Sequence, residues 1–379
     1  MQTSYRFSAP GRTEISGNHT DHQHGCVLAA AVDLETTAEV TLRPDPIIRV
    51  ASEGYAPVEI DLNDLSVHEA EKNTTAALVR GVAAAFVQRG CQLRGFDAAV
   101  RSTVLPGSGL SSSAAFEVLI GTICNELFFD RKCSAVEIAQ IGQYAENVYF
   151  GKPSGLLDQL TSAVGGIIFA DFADPQQPVL EKIHADGLLP PGMSLCVTDT
   201  RGSHSELTGE FAAIRQEMEQ IAAFLGKKVL GQVTESAFWA ALPALRKACG
   251  DRAVLRAIHY FEENARTLAQ RDALQAGQFA AFAALVLESG RASFALCQNV
   301  YCSTDVRHQG LSVALALSQS ILQGSTGAWR MQGGGFAGTI QAYVPQSLLE
   351  RYHSEIERVF GKGSCYILRL REQGAVKVI

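Results

Sequence analysis

A glycine- and serine-rich run, Leu105-Pro-Gly-Ser-Gly-Leu-Ser-Ser-Ser-Ala-Ala115, lies between a β-branched segment at 98–104 and an apolar stretch that extends to Phe129. A strand, a glycine-rich loop and a helix in this order present unpaired N–H groups and the positive end of the helix dipole to an anion. Serine hydroxyls add donors, or an oxygen for Mg²⁺. The run therefore predicts a phosphate site, with a tight turn and a serine cap as the alternative. It matches neither the Walker A pattern nor the G-x-G-x-x-G dinucleotide pattern.

Strand and helix patterns alternate around this run. Alternating or β-branched residues predict strands at 36–42 and 98–104, whereas apolar residues at helical spacing predict a helix over 73–88. Ser134 and Glu137 match an S-x-x-E capping box, which predicts the start of a further helix there. An apolar strand is predicted at 167–172.

A polar stretch that contains proline follows at 173–178, and exposed connections of this kind often separate domains. We therefore predict an N-terminal domain at 1–173 and a C-terminal domain at 174–379. The second domain contains a predicted strand near 195–199, long helices over 209–323 and a return to strands near 338–344. The predicted fold class is α+β, with two such domains in sequence.

The composition indicates a folded protein with room for a cleft between two domains. The chain has 379 residues, of which 47% are hydrophobic and 19% charged, and its formal net charge is −7. Such a composition excludes a disordered chain, and the negative charge argues against nucleic acid as the main partner. The sequence defines no oligomeric state.

The nine cysteines include no C-x-x-C pair, and an odd number cannot all be paired within one chain. Buried free thiols in a reducing compartment are expected. The N-terminus lacks the pattern of a signal peptide, and no run of about 18 apolar residues is expected to span a membrane. These features predict a cytoplasmic protein without a membrane partner.

Three segments in order resemble the motifs of the GHMP kinases: Pro10-Gly-Arg-Thr-Glu-Ile-Ser-Gly-Asn-His-Thr-Asp21, the glycine-serine run, and Met331-Gln-Gly-Gly-Gly-Phe-Ala-Gly338. Within that family, the first segment and Gly155-Leu-Leu-Asp-Gln159 resemble the galactokinases, and the similarity extends over nearly the whole chain. The resemblance implies an N-terminal domain like ribosomal protein S5 domain 2 and a ferredoxin-like C-terminal domain, with the active site between them.

The resemblance also implies the roles of individual residues. Asp158 would be the catalytic base, and Arg12 would balance the charge on the transferred phosphoryl group. Without the family, Asp158 would be interpreted as a helix cap or a turn residue, and Arg12 as part of a surface salt bridge. Ser113 and Glu146 match the family's magnesium ligands. The implied ATP contacts are Pro106, Gly107, Ser108, Gly109, Leu110, Ser111, Ser112, Ser113 and Ala114.

The implied sugar contacts are Asn18, His19, Asp21, Gly155, Asp158, Phe211 and Gly334. Two of these depart from the galactokinase pattern. Asn18 stands where a glutamate is usual, which replaces a charged acceptor by an amide that both donates and accepts. Phe211 stands where a tyrosine is usual and offers no hydroxyl.

The implied activity is an ATP- and Mg²⁺-dependent transfer of phosphate to the anomeric hydroxyl of α-D-galactose, which yields galactose 1-phosphate and ADP. Asn18 and Phe211 keep open the same chemistry on another sugar or polyol. A non-catalytic sugar sensor is a third hypothesis from a different class. Arg12, Ser113, Glu146 and Asp158 all match the catalytic pattern, which argues against the sensor.

Overall fold

The computed structural model describes residues 4–104, 109–152, 154–183, 189–202 and 207–379. Its strands are β1 (Ser4–Ser16), β2 (Cys26–Leu42), β3 (Ile47–Ser52), β4 (Val58–Asp61), β5 (Phe96–Ser102), β6 (Ile167–Asp171), β7 (Val179–Ile183), β8 (Met193–Asp199), β9 (Ala328–Met331), β10 (Thr339–Pro345), β11 (Cys365–Leu368) and β12 (Val376–Lys377).

Its α-helices are α1 (Thr75–Gln88), α2 (Ser112–Phe128), α3 (Ala135–Tyr144), α4 (Leu157–Val164), α5 (Thr208–Phe224), α6 (Glu235–Cys249), α7 (Asp251–Gln275), α8 (Phe279–Ala292), α9 (Gly310–Leu322) and α10 (Gln346–Phe360). Wider π-helical turns extend α3 over Ala145–Phe150 and α8 over Ser293–Cys297. The predicted capping box is confirmed, because Ser134 and Glu137 each bond to the other's backbone N–H at the start of α3.

The larger sheet has the order β12-β1-β2-β5-β3-β4, and β6 also pairs with β2 and with β7. The long strand β2 makes this arrangement possible, because its first part pairs with β6 and its later part with β5. The smaller sheet has the order β11-β8-β10-β9 and is antiparallel. Mixed helices and two sheets confirm the predicted α+β class.

The two sheets share a hydrophobic cluster that includes Ile15 and Leu28 from the larger sheet, Leu195 from the smaller sheet and Phe282 from α8. A second cluster packs α1 to α4 against the other face of the larger sheet. The larger sheet consists of strands within 1–173 together with β7 and β12, which lie after residue 173. The smaller sheet lies wholly within 174–379. The chain division at residue 173 stays a prediction.

All nine cysteines are free, and all but Cys249 are buried, as the sequence predicted. In the part of the chain that the structure describes, one helical stretch, Phe279–Cys297, is long and apolar enough by length and composition to cross a membrane. This stretch differs from the sequence-based expectation that the chain contains no such run. It contains α8, which packs against α7 and β9, and 33% of the stretch is buried.

Candidate active site

Arg12 and Asp158 form an ion pair across 146 positions of sequence, with 2.7 Å between Arg12 Nε and Asp158 Oδ1. Arg12 lies on β1 at a register shift that follows Pro10, and Asp158 lies in the first turn of α4. A carboxylate at this position is stabilised by the helix dipole. The Ser111 hydroxyl donates to the other oxygen of Asp158. Three elements, β1, α4 and the start of α2, therefore converge on one carboxylate.

The surroundings of Asp158 favour its ionised form. Partial burial acts to raise the pKa of Asp158, but the charge of Arg12 and the hydrogen bonds from Arg12 and Ser111 outweigh it, so the pKa lies below its ordinary value. The Asp158 side chain is still 36% exposed, whereas that of Arg12 is 8% exposed. An ionised and accessible carboxylate beside a buried cation can accept a proton from a bound hydroxyl.

The described end of the glycine-serine run is anchored to β1. The Arg12 guanidinium donates to the Gly109 carbonyl over 2.7 Å, and the Arg12 N–H donates to the Leu110 carbonyl over 3.1 Å. Gly109 has a φ of +68°, and a Cβ atom there would lie 2.3 Å from Thr339 Oγ1, so this turn requires glycine. Of the predicted ATP contacts, Pro106, Gly107 and Ser108 lie outside the described residues.

The remaining predicted ATP contacts surround the start of α2. Ser111 is the N-cap residue in a left-handed conformation, and Ser112, Ser113 and Ala114 form the first helical turn. N–H groups in the first turn of a helix have no intrahelical acceptor and can bind phosphate. Ser111 differs from its predicted role in one respect, because its hydroxyl donates to Asp158.

Ser113 and Glu146, the predicted magnesium ligands, lie side by side, with 3.3 Å between Ser113 Oγ and Glu146 Oε1. Glu146 lies in the π-helical turn after α3 and is buried. Its carboxylate also accepts hydrogen bonds from Lys152 Nζ at 3.0 Å and Ser154 Oγ at 2.5 Å. A hydroxyl and a carboxylate are the hard oxygen donors that Mg²⁺ prefers, so these residues fit the ion.

Sequence reasoning missed two buried residues beside Glu146, namely Gln159, which holds it, and Glu117, a second carboxylate. The Gln159 side-chain amide donates to Glu117 Oε2 over 2.9 Å and to Glu146 Oε2 over 3.0 Å. Burial and the nearby charge of Glu146 raise the pKa of Glu117 well above its ordinary value. One helical turn separates Glu117 from Ser113, so helical spacing could have placed both on one face of α2.

Asp21 and Gly155, both predicted sugar contacts, lie against each other. A Cβ atom on Gly155 would lie 1.9 Å from Asp21 Oδ2, so a glycine is required for this close approach. Burial, with a further contribution from the charge of Asp158, raises the pKa of Asp21. Asp21 therefore lies within electrostatic reach of the Arg12 and Asp158 pair.

His19 belongs to a directional chain of hydrogen bonds. Its Nε2 lies 3.0 Å from the Gly334 carbonyl, which can only accept, so Nε2 carries the proton. Its Nδ1 then accepts from His22 Nε2 at 3.2 Å. Burial lowers the pKa of His19 to about 4, and it also lowers the pKa of His22. Both rings are therefore neutral near pH 7, and His19 anchors the glycine-rich segment.

Asn18 is 1% exposed and makes its amide hydrogen bonds within the protein. Its Nδ2 donates to the Gly333 carbonyl at 2.5 Å and to Glu14 Oε1 at 3.2 Å, while its Oδ1 accepts from Asn299 Nδ2 at 2.8 Å. Direct binding of a sugar hydroxyl by Asn18 stays a prediction. The structure does show that Asn18 joins the first motif to the glycine-rich segment.

Phe211, near the start of α5, packs against the same glycine-rich segment. Its ring meets that of Phe336 edge to face, with 5.4 Å between ring centroids. A Cβ atom on Gly334 would lie 2.5 Å from Phe211 Cε1, so Phe211 and Gly334 are in close contact. The two predicted sugar contacts therefore meet, and Phe211 gives this part of the site an apolar wall.

Comparisons with known proteins identify the family of the chain. A family model for the GHMP kinases N terminal domain matches residues 77–166, and one for the galactokinase galactose-binding signature matches residues 2–42. A galactokinase of Streptomyces coelicolor is 34% identical over 361 residues, which cover 93% of this chain and 88% of that protein.

Solved structures show the same fold. A galactokinase of Lactococcus lactis in complex with galactose has a TM-score of 0.84 at 24% identity, and the match covers 99% of this chain and 95% of that one. A mevalonate kinase of Methanococcus jannaschii has a TM-score of 0.69 at 14% identity, and the match covers 98% of each chain. With the sequence identity to the curated relative, these findings show that the chain belongs to the galactokinase family of GHMP kinases.

Proposed function

We propose that this protein transfers the γ-phosphate of ATP to the anomeric hydroxyl of α-D-galactose, which yields galactose 1-phosphate and ADP. The observation that carries the proposal is the contact between Arg12, Asp158 and Ser111 at the start of α2. It joins an ionised proton acceptor and a buried cation to the helix end where phosphate binds. An ATP-dependent sugar kinase needs these three elements together.

In the proposed reaction, Asp158 accepts the proton of the anomeric hydroxyl while that oxygen attacks the γ-phosphate. The Arg12 guanidinium balances the charge on the transferred group and keeps Asp158 ionised. Amides at the start of α2 hold the phosphates. Asp21 accepts hydrogen bonds from sugar hydroxyls and so orients the sugar.

Ser113 and Glu146 would hold Mg²⁺ in this proposal. When bound, the ion supplies positive charge that neutralises the phosphate oxygens. Gln159 and Lys152 keep the Glu146 carboxylate in place through their hydrogen bonds to it. We further propose a cytoplasmic location, which is supported by the nine cysteines without a disulfide.

A second candidate is the same transfer to another sugar or to a polyol. The burial of Asn18 and the apolar contact between Phe211 and Gly334 favour it, because both change the hydrogen bonds that the pocket offers. A pocket that lacks one hydrogen bond to its ligand loses roughly tenfold to a hundredfold in affinity.

The test is ADP release by the purified protein with Mg²⁺ and ATP, over a panel of galactose, glucose, N-acetylgalactosamine, arabinose, galacturonate and myo-inositol. We expect galactose to give the highest kcat/KM, with phosphate attached to the anomeric oxygen in the ³¹P NMR spectrum. A higher value for another compound would replace galactose as the substrate. Sugar binding without turnover of any compound would favour the non-catalytic sensor.

A further inference from the structure

Glu14 is a buried carboxylate beside the sugar motif to which the proposed reaction gives no role. It lies on β1 and is 6% exposed. Its Oε1 accepts from Arg330 at 2.9 Å and from Asn18 Nδ2 at 3.2 Å. Arg330 is fully buried, and it also donates to the Ile15 carbonyl. Glu14 therefore connects a buried cation to the residue that departs from the galactokinase pattern.

Glu14 restricts how the Asn18 amide can be oriented. The Asn18 nitrogen faces two acceptors, the Glu14 carboxylate and the Gly333 carbonyl, while the Asn18 oxygen faces the Asn299 amide nitrogen. A rotated amide would place its oxygen against both acceptors. Asn18 thus binds the glycine-rich segment at the Gly333 carbonyl, and His19 binds the same segment at the neighbouring Gly334 carbonyl.

From this geometry we propose that Glu14 is a positioning residue that determines sugar specificity, and that it supplies the carboxylate that position 18 lacks. Through Asn18 it fixes the glycine-rich segment against the first motif. It also makes a carboxylate at position 18 unfavourable, because one of its oxygens would then face the Glu14 carboxylate and the Gly333 carbonyl with no N–H group between them. The proposal rests on the proposed function, since specificity presupposes a sugar substrate.

Isosteric substitutions test this coupling. Asn18→Asp changes only the charge and the donors of the side chain, and Glu14→Gln removes the charge of its partner. We expect Asn18→Asp to lower kcat/KM for the sugar by ~10²-fold, as for a buried carboxylate placed against other acceptors. The double variant should regain at least about tenfold, because the amide introduced at position 14 can then donate to the carboxylate introduced at position 18.

Asn63→Asp is the matched control. Asn63 Nδ2 also donates to a carboxylate, Asp61 Oδ1 at 2.9 Å, but at an exposed site. There we expect a change of less than about twofold, because water screens the new pair of charges. A similar loss in this control and in Asn18→Asp would contradict the role of burial.

Separate KM values distinguish positioning of the sugar from a general structural role. In Asn18→Asp and Glu14→Gln we expect the sugar KM to rise about tenfold, which is the change in affinity that loss of one hydrogen bond causes. The ATP KM should stay within about twofold of the wild-type value. A lower melting temperature with unchanged sugar KM would overturn the proposal, and so would additive effects in the double variant.

If the wild-type protein turns over another compound of the panel, the two single variants and the double variant are measured with that compound. If it turns over none, the proposed function fails, whereas non-additive melting temperatures would still support the Glu14 and Asn18 contact.

Discussion

Replacement of Asp158 by asparagine removes the proposed base while it keeps the shape of the side chain. The asparagine oxygen can still accept from Arg12 Nε, which lies 2.7 Å from the carboxylate, but it cannot take a proton at neutral pH. We expect kcat to fall by ~10² to ~10⁴, which corresponds to about 3 to 5 kcal/mol of activation free energy. Because the Asp158 side chain is 36% exposed, the expected loss of folding free energy is only about 1 kcal/mol.

The assay is steady-state ADP release with independent variation of sugar and ATP, together with a thermal unfolding curve. KM values within several-fold of wild type, a large loss of kcat and a small shift in melting temperature would agree with the reasoning. Asp45→Asn is the control, since it breaks an ion pair with Arg43 outside the candidate site and should leave kcat unchanged. Wild-type kcat in Asp158→Asn would refute the role of Asp158 as the base.

Three further outcomes follow from the site. Gly155→Ala should raise the sugar KM at least about tenfold, since its methyl group would displace Asp21; an unchanged sugar KM would contradict that contact. Gln159→Leu should weaken Mg²⁺-dependent thermal stabilisation by ATP analogues, because it leaves Glu146 without the bridging amide, whereas equal stabilisation would argue against this support. The pKa of His19 is about 4 in the folded protein, below its ordinary value, so folding stability should decline as pH falls from about 6.5 to 4. His19→Gln should flatten that decline in urea unfolding series, and an unaltered slope would exclude His19 as its source.

Local signals in the sequence predicted much of the fold and several parts of the site. The capping box of α3, the helix over 73–88 and the strand before the glycine-serine run each depend on residues close together in the chain. Such signals report backbone preferences and helix ends, which neighbouring residues decide. The motif resemblance implied roles for Asp158 and Arg12, which stay predictions, and the structure brings these two residues into contact.

Only the tertiary structure decided which distant groups meet. The β12 strand pairs with β1 from the opposite end of the chain, and Gln159 bridges two carboxylates from other helices. Asn18 could be recognised as a departure from its family, but the Glu14 carboxylate that orients it became evident only from the fold. Hydrogen-bond direction and burial depend on how the fold sets atoms against one another, as where Arg330 meets Glu14 across 316 positions, and no local pattern specifies those distances.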